Sequence, residues 1–189
     1  MSLNVVINRL RKPARSLATL IVTPLLLGGC MSIKPEIYAG TEPELRLEEY
    51  LNGPVTAWGI VQDRSGKVLR RFEVDMVGEW QGDSGTLHET FRYDDGEESL
   101  RIWSIKKVSD TRYSGSADDV VGAASGIRSG NAVNWSYVLA LEVQGRTWNI
   151  TFDDWMYLLD ERTLVNRATM RKFGFRVGEV LLFFRKEEA

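Results

Sequence analysis

From Gly53 onward, apolar and polar residues alternate with a period of two, in runs separated by short glycine-bearing turns. That is the pattern of strands with one face buried and one in water. Val55 to Gln62 reads as the first run, and Asp63-Arg64-Ser65-Gly66 turns the chain back. Between Lys67 and Trp80, the residues Val68, Phe72, Val74, Met76 and Trp80 share one parity, while Arg71, Glu73 and Asp75 share the other. Thr86 to Tyr93 sets Leu87, Phe91 and Tyr93 on a common face. Further runs follow over 100–107, 112–117, 134–143, 148–158, 163–170 and 179–185. Only 118–131 breaks the pattern, with Gly122, Gly126 and Gly130 among small residues, and reads as a kinked strand pair or a long loop. Arg46 to Leu51 fits either a helical turn or a strand. About nine or ten strands result, joined by turns too short for crossover helices and therefore antiparallel. The predicted fold is all-β: an up-and-down antiparallel barrel or a strongly curved sheet, with a sandwich as the alternative.

The first thirty residues follow another pattern. Arg9, Arg11, Lys12 and Arg15 precede an apolar run from Leu17 to Leu27, which Pro24 interrupts and which is too short to span a bilayer. A basic segment, a short apolar segment and small residues before a cut make a secretory signal. Leu27-Gly28-Gly29-Cys30 resembles the lipobox of bacterial lipoproteins, in which the thiol is acylated and the signal removed before it. The expected organisation is a signal peptide over 1–29, a lipidated tether over 30–44 and one barrel domain over 45–189. With Met31 and Ser32 and no aspartate after Cys30, the resemblance implies a lipid-anchored protein on the periplasmic face of the outer membrane.

Composition sharpens this. Removing 1–29 leaves 160 of 189 residues and, with four basic residues and no acids lost, takes the formal net charge from −2 to −6. An acidic domain does not suit nucleic acid, which is held by clustered Lys and Arg. Cys30 is the only cysteine, so no intrachain disulfide can form, and six Trp, six Tyr and seven Phe must build the core.

His88 is the only histidine, which eliminates His–Cys zinc sites, Ser-His-Asp triads and Cys-His nucleophiles. No phosphate-binding glycine loop is present, and no metal or cofactor is expected. Of the acidic doublets, Asp94-Asp95, Glu97-Glu98 and Asp118-Asp119 read as solvated turn and loop residues. Asp154 differs because it shares the parity of Phe152 and Met156. Arg70, Glu89 and Asn166 intrude in the same way on apolar faces. Polar groups so placed are costly unless paired. They form either a buried network, with Arg70 reaching Glu89 or Asp154, or the polar end of a ligand site inside the barrel. Trp155 lies on the opposite parity and is expected to be exposed near a rim.

Several segments together carry a wider resemblance: Tyr50-Leu51-Asn52-Gly53-Pro54, Ala57-Trp58-Gly59, Gln62-Asp63-Arg64-Ser65-Gly66, Tyr93-Asp94-Asp95-Gly96, Ala117-Asp118-Asp119-Val120, Asn134-Trp135-Ser136-Tyr137, Asp153-Asp154-Trp155-Met156-Tyr157 and Lys172-Phe173-Gly174-Phe175. The chain resembles the domain of unknown function 3833 family of bacterial lipoproteins. The resemblance implies a lipocalin- or calycin-like barrel and a lipid-related role, with no site residues to carry over. The leading expectation is a non-enzymatic envelope lipoprotein that holds a lipid or small amphipathic ligand through Arg70, Glu89, Asp154 and Asn166. The alternatives are an assembly lipoprotein acting through a protein partner, and a hydrolase using Asp154 and Glu89.

Overall fold

The computed structural model describes residues 33–143 and 145–187; the expected signal segment and Cys30 lie outside them. Ten strands form: β1 (Gly53–Asp63), β2 (Val68–Gln81), β3 (Ser84–Tyr93), β4 (Glu98–Ser109), β5 (Arg112–Ser116), β6 (Ala124–Ser129), β7 (Ala132–Val143), β8 (Arg146–Leu158), β9 (Thr163–Lys172) and β10 (Phe175–Lys186). Each pairs antiparallel with its sequence neighbours, and β1 pairs with β10, from Val55 opposite Lys186 to Asp63 opposite Gly178. The sheet thus closes into an up-and-down barrel, with no sandwich. The glycine-rich stretch resolves into β6 and the connection 117–123, which lies along β7 through Val121 N–H to Val138 C=O at 2.8 Å and Ala140 N–H to Asp119 C=O at 2.8 Å.

Cross-strand pairs explain how small residues interrupt an aromatic interior. Phe72 lies opposite Gly59, Trp80 opposite Gly85 and Trp135 opposite Gly126. A Cβ on Gly59 would come within 2.3 Å of the Phe72 ring, and one on Gly85 within 2.4 Å of Trp80. Each ring lies flat over its partner glycine and fills the space that curvature leaves there.

One end of the barrel is plugged. Leu45 and a single helical turn, α1 (Leu47–Tyr50), bring Leu45, Leu47, Tyr50 and Leu51 into the end of the core, where all are 0–4% exposed. Gly78 makes room for the Leu51 carbonyl. A helix end exposes carbonyls that need donors; Lys186 Nζ donates to the carbonyls of Glu49, Tyr50 and Asn52 at 2.6–2.9 Å. The Tyr113 hydroxyl donates to Glu48 at 2.6 Å and accepts the Leu47 N–H.

From Ile33 the segment expected as a tether follows the barrel wall. Pro35–Tyr38 forms a 3-10 helix against β6 and β7, Asn131 N–H donates to Thr41 Oγ1 at 3.0 Å, and Leu45 N–H to Gly130 C=O at 2.9 Å. Tyr38 covers Trp155, centroids 5.8 Å apart, and Trp155 stacks on Tyr157 at 5.9 Å. Trp155 is therefore buried instead of exposed at a rim: it does face outward, but this segment lies over it.

Candidate functional site

Burial of the inward-facing positions changes along the barrel. At the plugged end Val55, Val133 and Leu164 are 0–1% exposed. Toward the other end Val61, Tyr93, Tyr137, Leu141, Met170, Val180 and Leu182 are only partly buried. The inward side chains are thus less fully covered at this mouth than at the plugged end. Two surface concavities lie elsewhere: a groove of about 600 Å³ on the wall of β2 to β5, lined by Glu79, Thr86, Ser104 and Lys106, and a recess of about 180 Å³ near Glu48 and Lys107.

Between the plug and the mouth, the lumen holds a polar layer of two clusters. In the first, Asp154 on β8 accepts from the Tyr137 hydroxyl on β7 at 2.7 Å and from the Asn166 amide on β9. Asn166 also donates to the Trp155 carbonyl at 3.2 Å. In the second, Arg101 on β4 makes a two-pronged ion pair with Asp119 at 2.6–3.2 Å and stands 3.8 Å from Glu89 on β3. Glu89 Oε2 is buried without a hydrogen-bond donor among the described residues. Aromatic rings join the clusters: Trp103 meets Tyr137 edge-on at 5.6 Å, and Tyr137 stacks on Phe152 at 5.1 Å.

The electrostatics follow from burial. Desolvation pushes the Glu89 carboxyl up to about 7; Arg101 and Trp103 oppose the rise, and Asp119 and Asp154 add to it. Burial raises Asp154 too, against the hydrogen bonds from Tyr137 and Asn166. The Tyr137 phenol rises well above its usual range, through burial first and then the neighbouring Asp154. Burial would lower Arg101, but Glu89 and Asp119 more than offset it. Glu89 and Asp119 thus share one guanidinium while Asp154 has none, and the layer favours a polar group that donates hydrogen bonds over a bare carboxylate.

Of the residues singled out from sequence, Glu89, Asp154 and Asn166 belong to this layer and Arg70 does not. Arg70 sits at the mouth, 3.6 Å over the Tyr93 ring, and bonds Asp95 at 2.6 Å and Glu97 at 2.7 Å. The expected pairing of Arg70 with Glu89 or Asp154 is replaced by this clamp onto the β3–β4 turn, whose acids are paired rather than merely solvated. Arg101, Asp119 and Tyr137 were not singled out. The signal for Arg101 is its shared parity with Trp103 and Ile105, masked because Leu100 and Ile102 on the other face are apolar too. Asp119 reads as a loop acid from sequence, since nothing local indicates that 117–123 folds back along β7.

The ladder between β4 and β5 begins only at Ser104 opposite Ser116. On that side, Glu98–Trp103 of β4 has no strand partner among the described residues, and the Arg101–Asp119 pair laces β4 to the connection where backbone bonds stop. No group of three or more His, Cys, Asp or Glu side chains is placed to hold a metal among the described residues.

Fold and layer define a closed, ten-stranded, lipocalin-like barrel with one plugged end, one open mouth and a polar layer between them. The chain belongs to the family described as "Protein of unknown function (DUF3833)", whose model matches residues 24–186. It is similar in fold to the S-type phycobiliprotein lyase CPES of Guillardia theta, with a TM-score of 0.53 and 5% identity, over 76% of this chain and 92% of that one. It is also similar to a protein of unknown function from the DUF3598 family of Nostoc punctiforme, with a TM-score of 0.53 and 11% identity. That likeness covers 78% of this chain and about half of the other, 51%. No curated protein sequence matches.

Proposed function

We propose that this protein is an envelope lipoprotein, acylated at Cys30, whose barrel holds a lipid or small amphipathic molecule with its polar end at the Glu89–Arg101–Asp154 layer. The observation that carries this reading is Glu89 Oε2, a buried acceptor without a hydrogen-bond donor, inside the barrel between the plug and the mouth. Buried polar atoms are ordinarily satisfied, and an orphan inside the barrel suits a ligand's donor. The ligand is then an acyl or other apolar chain ending in a hydroxyl or amine. The chain lies along Phe152, Ile150, Leu139 and Met170, toward the mouth. Acylation is read by intact mass of the membrane-extracted protein, which should exceed the cleaved chain by its acyl groups. Binding is read by titrating 1-monooleoylglycerol against oleate. The account expects the glycerol ester to bind more tightly, and Glu89→Leu or Asn166→Leu to weaken it at least tenfold with the fold retained. Equal binding by wild type and both variants would remove the layer from the account.

A second reading has one observation in its favour. A carboxyl near 7 is suited to passing protons at neutral pH, and the fold is shared with a lyase. Glu89→Gln would then abolish turnover of a bound ligand while leaving its affinity intact.

A further inference from the structure

The hairpin joining β9 and β10 carries the two most exposed aromatic side chains of the described chain, Phe173 at 84% and Phe175 at 77%. Phe173 holds a positive φ of 50°, the left-handed region where glycine or asparagine is ordinary and a bulky residue is strained. This turn position thus bears strain and an apolar surface in water at once. Strain kept at such a site points to a use for the side chain. The surroundings indicate which use. Lys172 Nζ lies 4.8 Å from the Phe173 ring and 4.9 Å from the half-exposed Trp148 ring on the adjacent β8. Val143 at 48% and Val177 at 40% extend the apolar surface. Arg171 and Arg176 flank the tip, and Arg146 opens β8 beside it. Arg146 and Arg171 make no ion pair among the described residues; Arg176 shares the buried Glu179 with Arg167. On the opposite side of the mouth, Asp94, Asp95 and Glu97 cluster with Arg70 and Arg71. The exposed Phe rings of the rim stand away from this acidic turn, beside Lys172 and the flanking arginines.

We propose that the Phe173–Phe175 hairpin tip enters the interface of an anionic phospholipid bilayer, with Arg146, Arg171, Lys172 and Arg176 meeting the phosphates. Aromatic rings partition to the depth of the headgroups, and long basic side chains bury their stems there while the charge stays wet. Both Phe rings and all four cations lie within two neighbouring hairpins, so one approach engages them together. This contact sets the mouth against the lipid. It does not depend on acylation of Cys30 or on occupancy of the lumen.

The test uses the full chain with Cys30→Ser, so that an introduced cysteine is unique, carrying an environment-sensitive fluorophore at Phe173→Cys. The control label sits at Val108→Cys, exposed near the plugged end. Each is reconstituted with vesicles of phosphatidylcholine containing about a third phosphatidylglycerol and with spin-labelled lipid as quencher. The inference expects quenching at position 173 at least threefold above position 108. It also expects a loss of that difference with Phe175→Ser plus Arg171→Glu, and a drop in pure phosphatidylcholine. Equal quenching at both positions overturns it. So does a label at 173 that is already shielded in lipid-free protein at micromolar concentration, because the tip would then be covered by protein.

Discussion

At the scale of single residues, the polar layer is where charge and burial conflict, and Glu89 shows it most clearly. Its folded carboxyl titrates near 7 against an ordinary 4.5, so between those values the folded state holds a proton that the unfolded state has released. Stability therefore falls as pH rises from about 4.5 to 7 and levels off above. At about 1.4 kcal/mol per unit, the loss from this group is on the order of 3–4 kcal/mol. Glu89→Gln cannot ionise, so urea unfolding at pH 5 and pH 8 should show a smaller drop for the variant than for wild type; identical slopes would place Glu89 in water. Parity along strands made Glu89, Asp154 and Asn166 legible in the sequence. It could not assign partners, because Arg70 has the same parity yet lies at the mouth, within reach of turn acids that are distant from it in the chain.

Among elements, the ten strands and their antiparallel order were readable because each run alternates and each connection is short. What escaped was set by contacts distant in sequence. Six residues from Arg46 to Leu51 carry too little pattern to distinguish a turn of helix from a strand; the barrel end decides it by burying Leu47 and supplying Lys186 as a cap. Leu47→Ala should cost about 2–5 kcal/mol, as buried leucine truncations do, read as a fall in the denaturant midpoint. The glycine–aromatic pairs give a second expectation. Gly85→Ala puts a methyl 2.4 Å from the Trp80 ring and should cost about 1–3 kcal/mol by overpacking. Trp80→Leu in the same chain should recover part of that loss, and a Gly85→Ala protein as stable as wild type would contradict the role given to the ring.

For the whole molecule, the barrel is graded along its axis: a dry plugged end, a polar layer, then a mouth with acids on one side and bare aromatics and cations on the other. Closure by β1 and β10 was the part of the architecture that strand patterns left open, since a curved sheet and a barrel share the same alternation. The address at Cys30 rests on sequence, and the lumen reading rests on geometry. The most direct measurement of that reading is native mass spectrometry of the full chain extracted from membranes in mild detergent, wild type beside Glu89→Leu. The account expects wild type to carry one discrete lipid-sized adduct, identified on extraction as an apolar chain with a hydroxyl or amine end, and the variant to lose it. A wild-type protein that emerges bare, and stays bare when such lipids are offered, would contradict the account and leave the outer surface as the working part of the molecule.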